Sequence, residues 1–243
     1  MEALMSHELY KEQEKHFVKT FLREFKVDCV FDIGANNGQY TEMLKEIGYK
    51  GLIVLFEGHP ECLRTLKEKF GEDEQCLILP RLVADHDGYV DFNIQCGDQF
   101  SSILAPMRDE ANLFNGQNAT IRTEKVRCVT LDTAFDLLQE TFEFTAPFLK
   151  MDTQGFDFDI VAASKTAIKQ FVGLQSELSI KPIYQHTHNY KEALDLYDWL
   201  GFDVTYFIMN NRGHFPYLLE TDVIMVNRLV AKDYIRPENF WNE

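Results

Sequence analysis

Residues 30 to 57 read VFDIGANNGQYTEMLKEIGYKGLIVLFE, and the fold is decided inside them. The apolar run Cys29-Val30-Phe31 is too short for a helix and meets Gly34, Asn36, Asn37 and Gly38 at once, as a strand entering a tight turn does. Helical spacing follows at Tyr40, Met43, Leu44 and Ile47 and stops at Gly48. A second apolar run, 52 to 56, ends at Glu57 before His59-Pro60. The stretch is therefore strand, turn, helix, strand.

Working outward, Phe17, Val18, Phe21, Leu22 and Phe25 form one apolar stripe among charges, so residues 1 to 26 are expected to carry an amphipathic helix packed on the domain behind it. Toward the other end, the pattern predicts a helix over 62 to 70, an extended run over 77 to 83, and a period-two strand over 89 to 94 after the Asp87-Gly88 turn. A buried strand over 148 to 151 ends at Asp152, followed by a helix near 157 to 170, a strand over 171 to 180 and a helix over 191 to 200. Runs 204 to 209 and 223 to 226 read as paired closing strands. Strands that alternate with helices and are apolar throughout their centres predict an α/β fold, a mostly parallel sheet with helices on both faces and an antiparallel hairpin at its end. No linker or repeat divides residues 27 to 243, which are expected to form a single domain. Residues 97 to 123, rich in Gly, Ser, Asn and Gln with weak periodicity, are expected to form a mobile, lid-like loop over a site.

A net charge of −15 repels phosphate, so neither nucleic acid nor an anionic membrane surface is an expected partner. The five cysteines are odd in number and scattered, which argues against a disulfide framework or a CxxC metal pair. The first residues are acidic and lack the apolar core of a signal peptide, and no run approaches the ~20 apolar residues of a membrane span, so the expected location is cytoplasmic. A homo-oligomer is compatible with the sequence.

Ligands of open parallel sheets bind beyond the C-terminal strand ends. There, Asp32, Gly34, Asn36 and Gly38 form a turn that departs from GxGxxG by carrying Asn36 in place of the middle glycine, which favours a cofactor without a pyrophosphate. Glu57, at the end of the next strand, is placed to accept both ribose hydroxyls. Asp85 is a weaker candidate, for an adenine amine, and reads equally well as a turn residue. Asp152 and Glu177 stand at two further strand ends, where carboxylates can orient a hydroxyl, take its proton or hold a divalent ion. Asp152 also suits the N-cap of the following helix. His186 and His188, two apart, would point the same way in an extended segment, as a general base or metal ligands, or be merely solvated in QHTHNY. His59 and His214 have smaller claims. Tyr184, Phe156 and Phe100 are aromatics that either face a cation or fill the core.

Taken in order, VFDIGANNGQY, LIVLFEGHPE, LVADHDGYVDF, SSIL at 101 to 104, VTLDTAF at 129 to 135 and FLKMDTQGFDFDIV resemble the FkbM family of S-adenosylmethionine-dependent methyltransferases over about residues 28 to 228. The resemblance implies a class I, Rossmann-like methyltransferase fold with a seven-stranded sheet whose last strand is antiparallel. It also implies O-methylation of a hydroxyl on a small metabolite, sugar or glycan. Asp32, Gly34, Asn36 and Gly38 would line the methionine part of S-adenosylmethionine and Glu57 its ribose. Where the family commonly has Asp-Val-Glu-Gly-Ala-Glu, this chain has Asp152-Thr153-Gln154-Gly155-Phe156-Asp157, so one acidic position is an amide. Two alternatives stand beside the main expectation: a divalent-metal-assisted methyltransferase using Asp152, Glu177 and a histidine, and a non-catalytic module that keeps the cofactor pocket.

Overall fold

A computed structural model describes residues 2–107, 114–208 and 216–232, with side chains from Leu9 onward. Its elements run α1 (Glu2–Glu24), β1 (Cys29–Ile33), α2 (Gln39–Glu46), β2 (Leu52–Glu57), α3 (Pro60–Phe70), β3 (Cys76–Pro80), β4 (Leu82–Val83), β5 (Gly88–Gln95), β6 (Thr120–Val129), α4 (Leu131–Thr141), β7 (Pro147–Met151), α5 (Asp157–Ala163), β8 (Gly173–Ser179), α6 (Tyr190–Trp199), β9 (Phe202–Ile208), β10 (Glu220–Asn227) and α7 (Arg228–Ala231). Seven strands form one sheet in the order β3-β2-β1-β7-β8-β10-β9, parallel except for β10, which is antiparallel to both neighbours. This is the class I methyltransferase arrangement that the resemblance implied. A smaller sheet, β4-β6-β5, stands beside it.

The central strands are buried on both faces, so alternate residues supply two cores. From β1, Cys29, Phe31 and Ile33 join one cluster with α4, α5 and α6, where the Phe31 ring lies 5.2 Å from Phe171 and 6.0 Å from Phe135. Val30 joins the other, with Ile53, Leu55, Phe148 and the inner faces of α1, α2 and α3. Helix α1 is seated there by Val18, Phe21 and Leu22, each contributing roughly 1.5–3 kcal/mol of burial before ordering costs, and by Phe17 stacked at 4.3 Å on Tyr206 of β9. Among the described residues no helix is long and apolar enough to cross a membrane.

Several expected spans change. The extended run 77 to 83 is two strands, β3 and β4, in different sheets. The helix expected to reach residue 170 stops at Ala163, because the Asp132 carboxylate draws off Ser164 Oγ and the backbone N–H groups of Lys165 and Ala167, each at 2.8 Å, leaving only a 3₁₀ turn over Ala167–Gln170. Strand β6 takes residues 120 to 123 from the expected loop. Most of β6 is exposed on both faces, so its sequence shows no apolar alternation to predict a strand. Earlier in that expected loop, Met107 N–H donates to Ile183 O at 2.9 Å and Ala105 O accepts from Gln185 N–H at 2.8 Å.

Candidate functional site

The turn after β1 is shaped by backbone conformation. Gly34 has φ +76° and passes so close to β7 that a Cβ there would lie 2.0 Å from the Asp152 carbonyl oxygen. Asn36 has φ +48°, a left-handed value that Asn tolerates because its Oδ1 closes a local turn, accepting from Asn37 N at 2.7 Å. Gly38, at φ +85°, opens α2 against Phe70, whose Cε2 would lie 2.4 Å from an added Cβ.

Glu57 ties this turn to β2. Burial pushes its carboxyl up, while backbone N–H groups of His59, Asn36 and Gly58 favour the ionised form. Oε2 accepts from Asn36 N at 2.7 Å, and Oε1 accepts from Gly58 N at 2.7 Å and His59 N at 2.6 Å. A carboxylate has about four lone-pair positions, so one is left for a ribose hydroxyl where the sequence suggested two. His59 itself caps α3, its Nδ1 accepting from Glu61 N at 3.2 Å ahead of Pro60.

Parallel register builds the other half. Asp32 of β1 stands opposite Lys150 of β7, which stands opposite Gln175 of β8, so three polar side chains cross the sheet on one face. All three are buried. Lys150 Nζ lies 2.9 Å from Asp32 Oδ1 and 4.0 Å from Asp152 Oδ2. Burial works against its charge, yet the two carboxylates hold the ammonium above the ordinary lysine range. Gln175 accepts from Tyr40 OH at 3.1 Å and donates to Glu14 of α1 at 3.0 Å and Asp222 of β10 at 3.2 Å. Sequence reasoning passed over Lys150, Gln175, Tyr40, Glu14 and Asp222. The one available signal was a lysine inside the apolar run of β7.

These halves enclose a cavity of ≈ 560 Å³ that runs from Glu57 and His59 past Gly34 and Asn36 to Asp152 and Asp222, with Ser101 and Ile103 on its rim. That volume suits a ligand of nucleoside–amino acid size. Carboxylates and turn backbone suit the hydroxyls and positive charges of S-adenosylmethionine, so the residues present fit that cofactor.

Asp152 lies at the mouth with its side chain 46% exposed. It does not cap α5, whose N-cap position is Phe156, so that alternative role falls away. Gln154 Nε2 donates to Asp152 Oδ1 at 2.8 Å and to Glu177 Oε2 at 3.1 Å. Glu177 lines a separate crevice with Ser179, His188 and Glu220 rather than the main cavity, and burial followed by repulsion from Glu220 raises its carboxyl well above the usual range.

Other expected residues are placed elsewhere. His186 is exposed at φ +64°, so it is not in the extended segment that would have aligned it with His188, and it does not line the cavity. His188 stacks on Phe158 at 3.8 Å. Asp85 is exposed, 2.7 Å from His86 Nδ1, and also outside the cavity lining. Tyr184 is buried against Gln154 and Phe100 O, Phe156 is core, and Phe100 packs on Phe114 at 4.9 Å, so the aromatics that line the cavity are Tyr40, Phe56 and Phe92 instead. His214 lies outside the described residues. Among the described residues no three His, Cys, Asp or Glu side chains converge as a metal site.

Comparison with known proteins adds three findings. Residues 32–212 match the family model described as the methyltransferase FkbM domain. The 2-O-methyltransferase NoeI of Sinorhizobium fredii is 21% identical over 201 residues, covering 82% of this chain and 79% of that protein. Solved structures align at lower identity: Aeropyrum pernix fibrillarin in complex with S-adenosylmethionine (12%, 82% of this chain, 66% of that one, TM-score 0.45) and the magnesium protoporphyrin IX methyltransferase of Synechocystis PCC 6803 with the same cofactor bound (10%, 90% and 80%, TM-score 0.48).

Proposed function

The chain belongs to the FkbM family of S-adenosylmethionine-dependent methyltransferases, and on that footing we propose that it methylates a hydroxyl oxygen of a sugar, glycan or other small metabolite, with Asp152 as the acceptor-side carboxylate. The similarity to a 2-O-methyltransferase supports oxygen as the accepting atom. The observation that carries the reading is the place of Asp152: beside Lys150 and Gly34, open to the cavity, while Asp32 and Glu57 are buried.

When bound, S-adenosylmethionine supplies an electrophilic methyl group on a positively charged sulfur. Glu57 would hold its ribose, and Asp32 with the turn 34 to 38 its methionine part. Lys150 neutralises Asp32, so the buried carboxylate does not stand uncompensated beside the reaction. Asp152 accepts a hydrogen bond from the acceptor hydroxyl, orients its oxygen and takes its proton, the C–S bond of the cofactor breaking as the C–O bond forms and S-adenosylhomocysteine being left. The acidic lining disfavours phosphorylated acceptors.

The test is incubation with deuteromethyl-labelled cofactor and a panel of methyl glycosides, with mass spectrometry locating the label. Asp152→Asn should lower turnover roughly 10²–10⁴-fold, the usual worth of a general base, and leave S-adenosylhomocysteine affinity unchanged by calorimetry. Wild-type turnover by Asp152→Asn would sink the assignment, and label on nitrogen or carbon would sink O-methylation.

A further inference from the structure

We propose that the side-chain amide of Gln154 takes the place of a bridging cation between the carboxylates of Asp152 and Glu177, making Gln154 the positioning residue that presents Asp152 to the cavity without a metal ion. The inference rests on the reading of Asp152 given above.

Asp152 follows β7 and Glu177 lies in the neighbouring β8, and one nitrogen, Gln154 Nε2, is within hydrogen-bond distance of an oxygen from each, at 2.8 and 3.1 Å. Two carboxylates gathered around one point repel, and a divalent cation or a proton is the usual remedy. An amide NH₂ carries two hydrogens and no available lone pair, so it satisfies both oxygens and ligates nothing. Its orientation is determined by its surroundings. The reverse placement would set the amide oxygen against two carboxylates, whereas Oε1 as placed accepts from Tyr184 OH at 2.8 Å. Ser102 Oγ donates to the Gln154 carbonyl at 2.8 Å and helps hold the backbone at φ +55°, a conformation glutamine has no intrinsic reason to adopt. The side chain is thus committed at both ends.

The surrounding charge makes the amide matter. Asp152 is faced by Lys150 of the preceding strand β7 and by Asp32 of β1, Glu177 of β8, Asp222 of β10, Glu14 of α1 and Asp157 of α5. Lys150 is paired with Asp32 at 2.9 Å and lies 4.0 Å from Asp152, and Lys11 acts on Glu14, which leaves little to hold Asp152 in place. A glutamate at 154 would replace two donors by acceptors and create a carboxylate triad that invites a cation. The chain's own amide therefore separates it from the metal-assisted alternative.

The test is Mn²⁺ binding by electron paramagnetic resonance on the full chain, with S-adenosylhomocysteine calorimetry as the control for folding. Gln154→Glu should bind Mn²⁺ roughly tenfold or more tightly than wild type, a gain expected from added ligand charge, and Asp152→Asn in the same chain should abolish the gain. Glu177→Gln combined with Gln154→Glu restores one amide among the three side chains. It should lose the Mn²⁺ site and recover any melting temperature that Gln154→Glu forfeits. Gln154→Met, similar in volume but without donors, should lower kcat on the methyl glycosides while leaving KM for the cofactor unchanged. Equal Mn²⁺ binding by wild type and Gln154→Glu, or a double variant no better than Gln154→Glu, overturns the proposal. If Asp152→Asn alone keeps wild-type turnover, the catalytic reading fails, while the Mn²⁺ arms still decide the role of the amide.

Discussion

The two halves of the cavity are built by different means. On the β2 side the walls are backbone: left-handed residues at 34, 36 and 38, and a buried carboxylate spent on three N–H groups. On the β7 side they are side chains from strands and helices far apart in sequence: Asp32, Lys150 and Gln175 in one row, with Glu14 and Asp222 joined to it. A backbone cradle is specified by a few consecutive residues and tolerates almost no change in them. A side-chain row depends on register and on charge balance, so it fails through electrostatics.

The sharpest way to break the first half is Gly34→Ala. With φ at +76° and a Cβ driven to 2.0 Å from Asp152 O, the substitution should cost about 3 kcal/mol or more and abolish cofactor binding, read by urea unfolding and calorimetry. A variant that melts like wild type would mean the turn relaxes freely. Lys150→Met attacks the second half. It leaves Asp32 buried and unpaired, for about 3–5 kcal/mol on the usual cost of breaking a buried pair, and Lys150→Met with Asp32→Asn should recover much of it. Failure of the double variant to recover stability would show that the pair does not act as a unit.

Titration separates the halves from the surface. Burial raises the carboxyls of Glu57, Asp157, Glu14 and Asp222, so the folded chain holds their protons more tightly than the unfolded chain does. The folded state then binds more protons above the ordinary carboxyl value of about 4, and stability must fall as pH rises through the folded values. The melting temperature should be higher near about pH 5.5 than near about pH 8, whereas a monotonic rise over that interval would contradict the burial of these groups. The smallest effect belongs to His186→Ala. Exposed and outside the cavity lining, it should change turnover and melting within experimental error, and a large loss of turnover would return this histidine to the site.

Local signals account for what could be read before the structure. Gly34, Asn36 and Gly38 declare a turn because few residue types tolerate their conformations, and Glu57 declares a strand end because an apolar run stops at it. The family resemblance rests on the same short motifs. The failures were equally physical. Spacing alone aligns His186 with His188 only on an extended backbone, which the left-handed φ of His186 removes. Asp85 follows a strand too, but that strand belongs to the smaller sheet, and its carboxylate meets His86.

By itself, the sequence determined the strand, turn, helix and strand of residues 29 to 57 and the acidic residue ending β2, because each depends on contacts within a few residues. Only the tertiary structure decided that Asp32, Lys150 and Gln175 share a row, that α1 brings Glu14 to them, and that Gln154 reaches both Asp152 and Glu177. Strand order and register between segments more than a hundred residues apart are set by how two hydrophobic faces are buried at once, and no local pattern encodes which polar side chains that burial brings together.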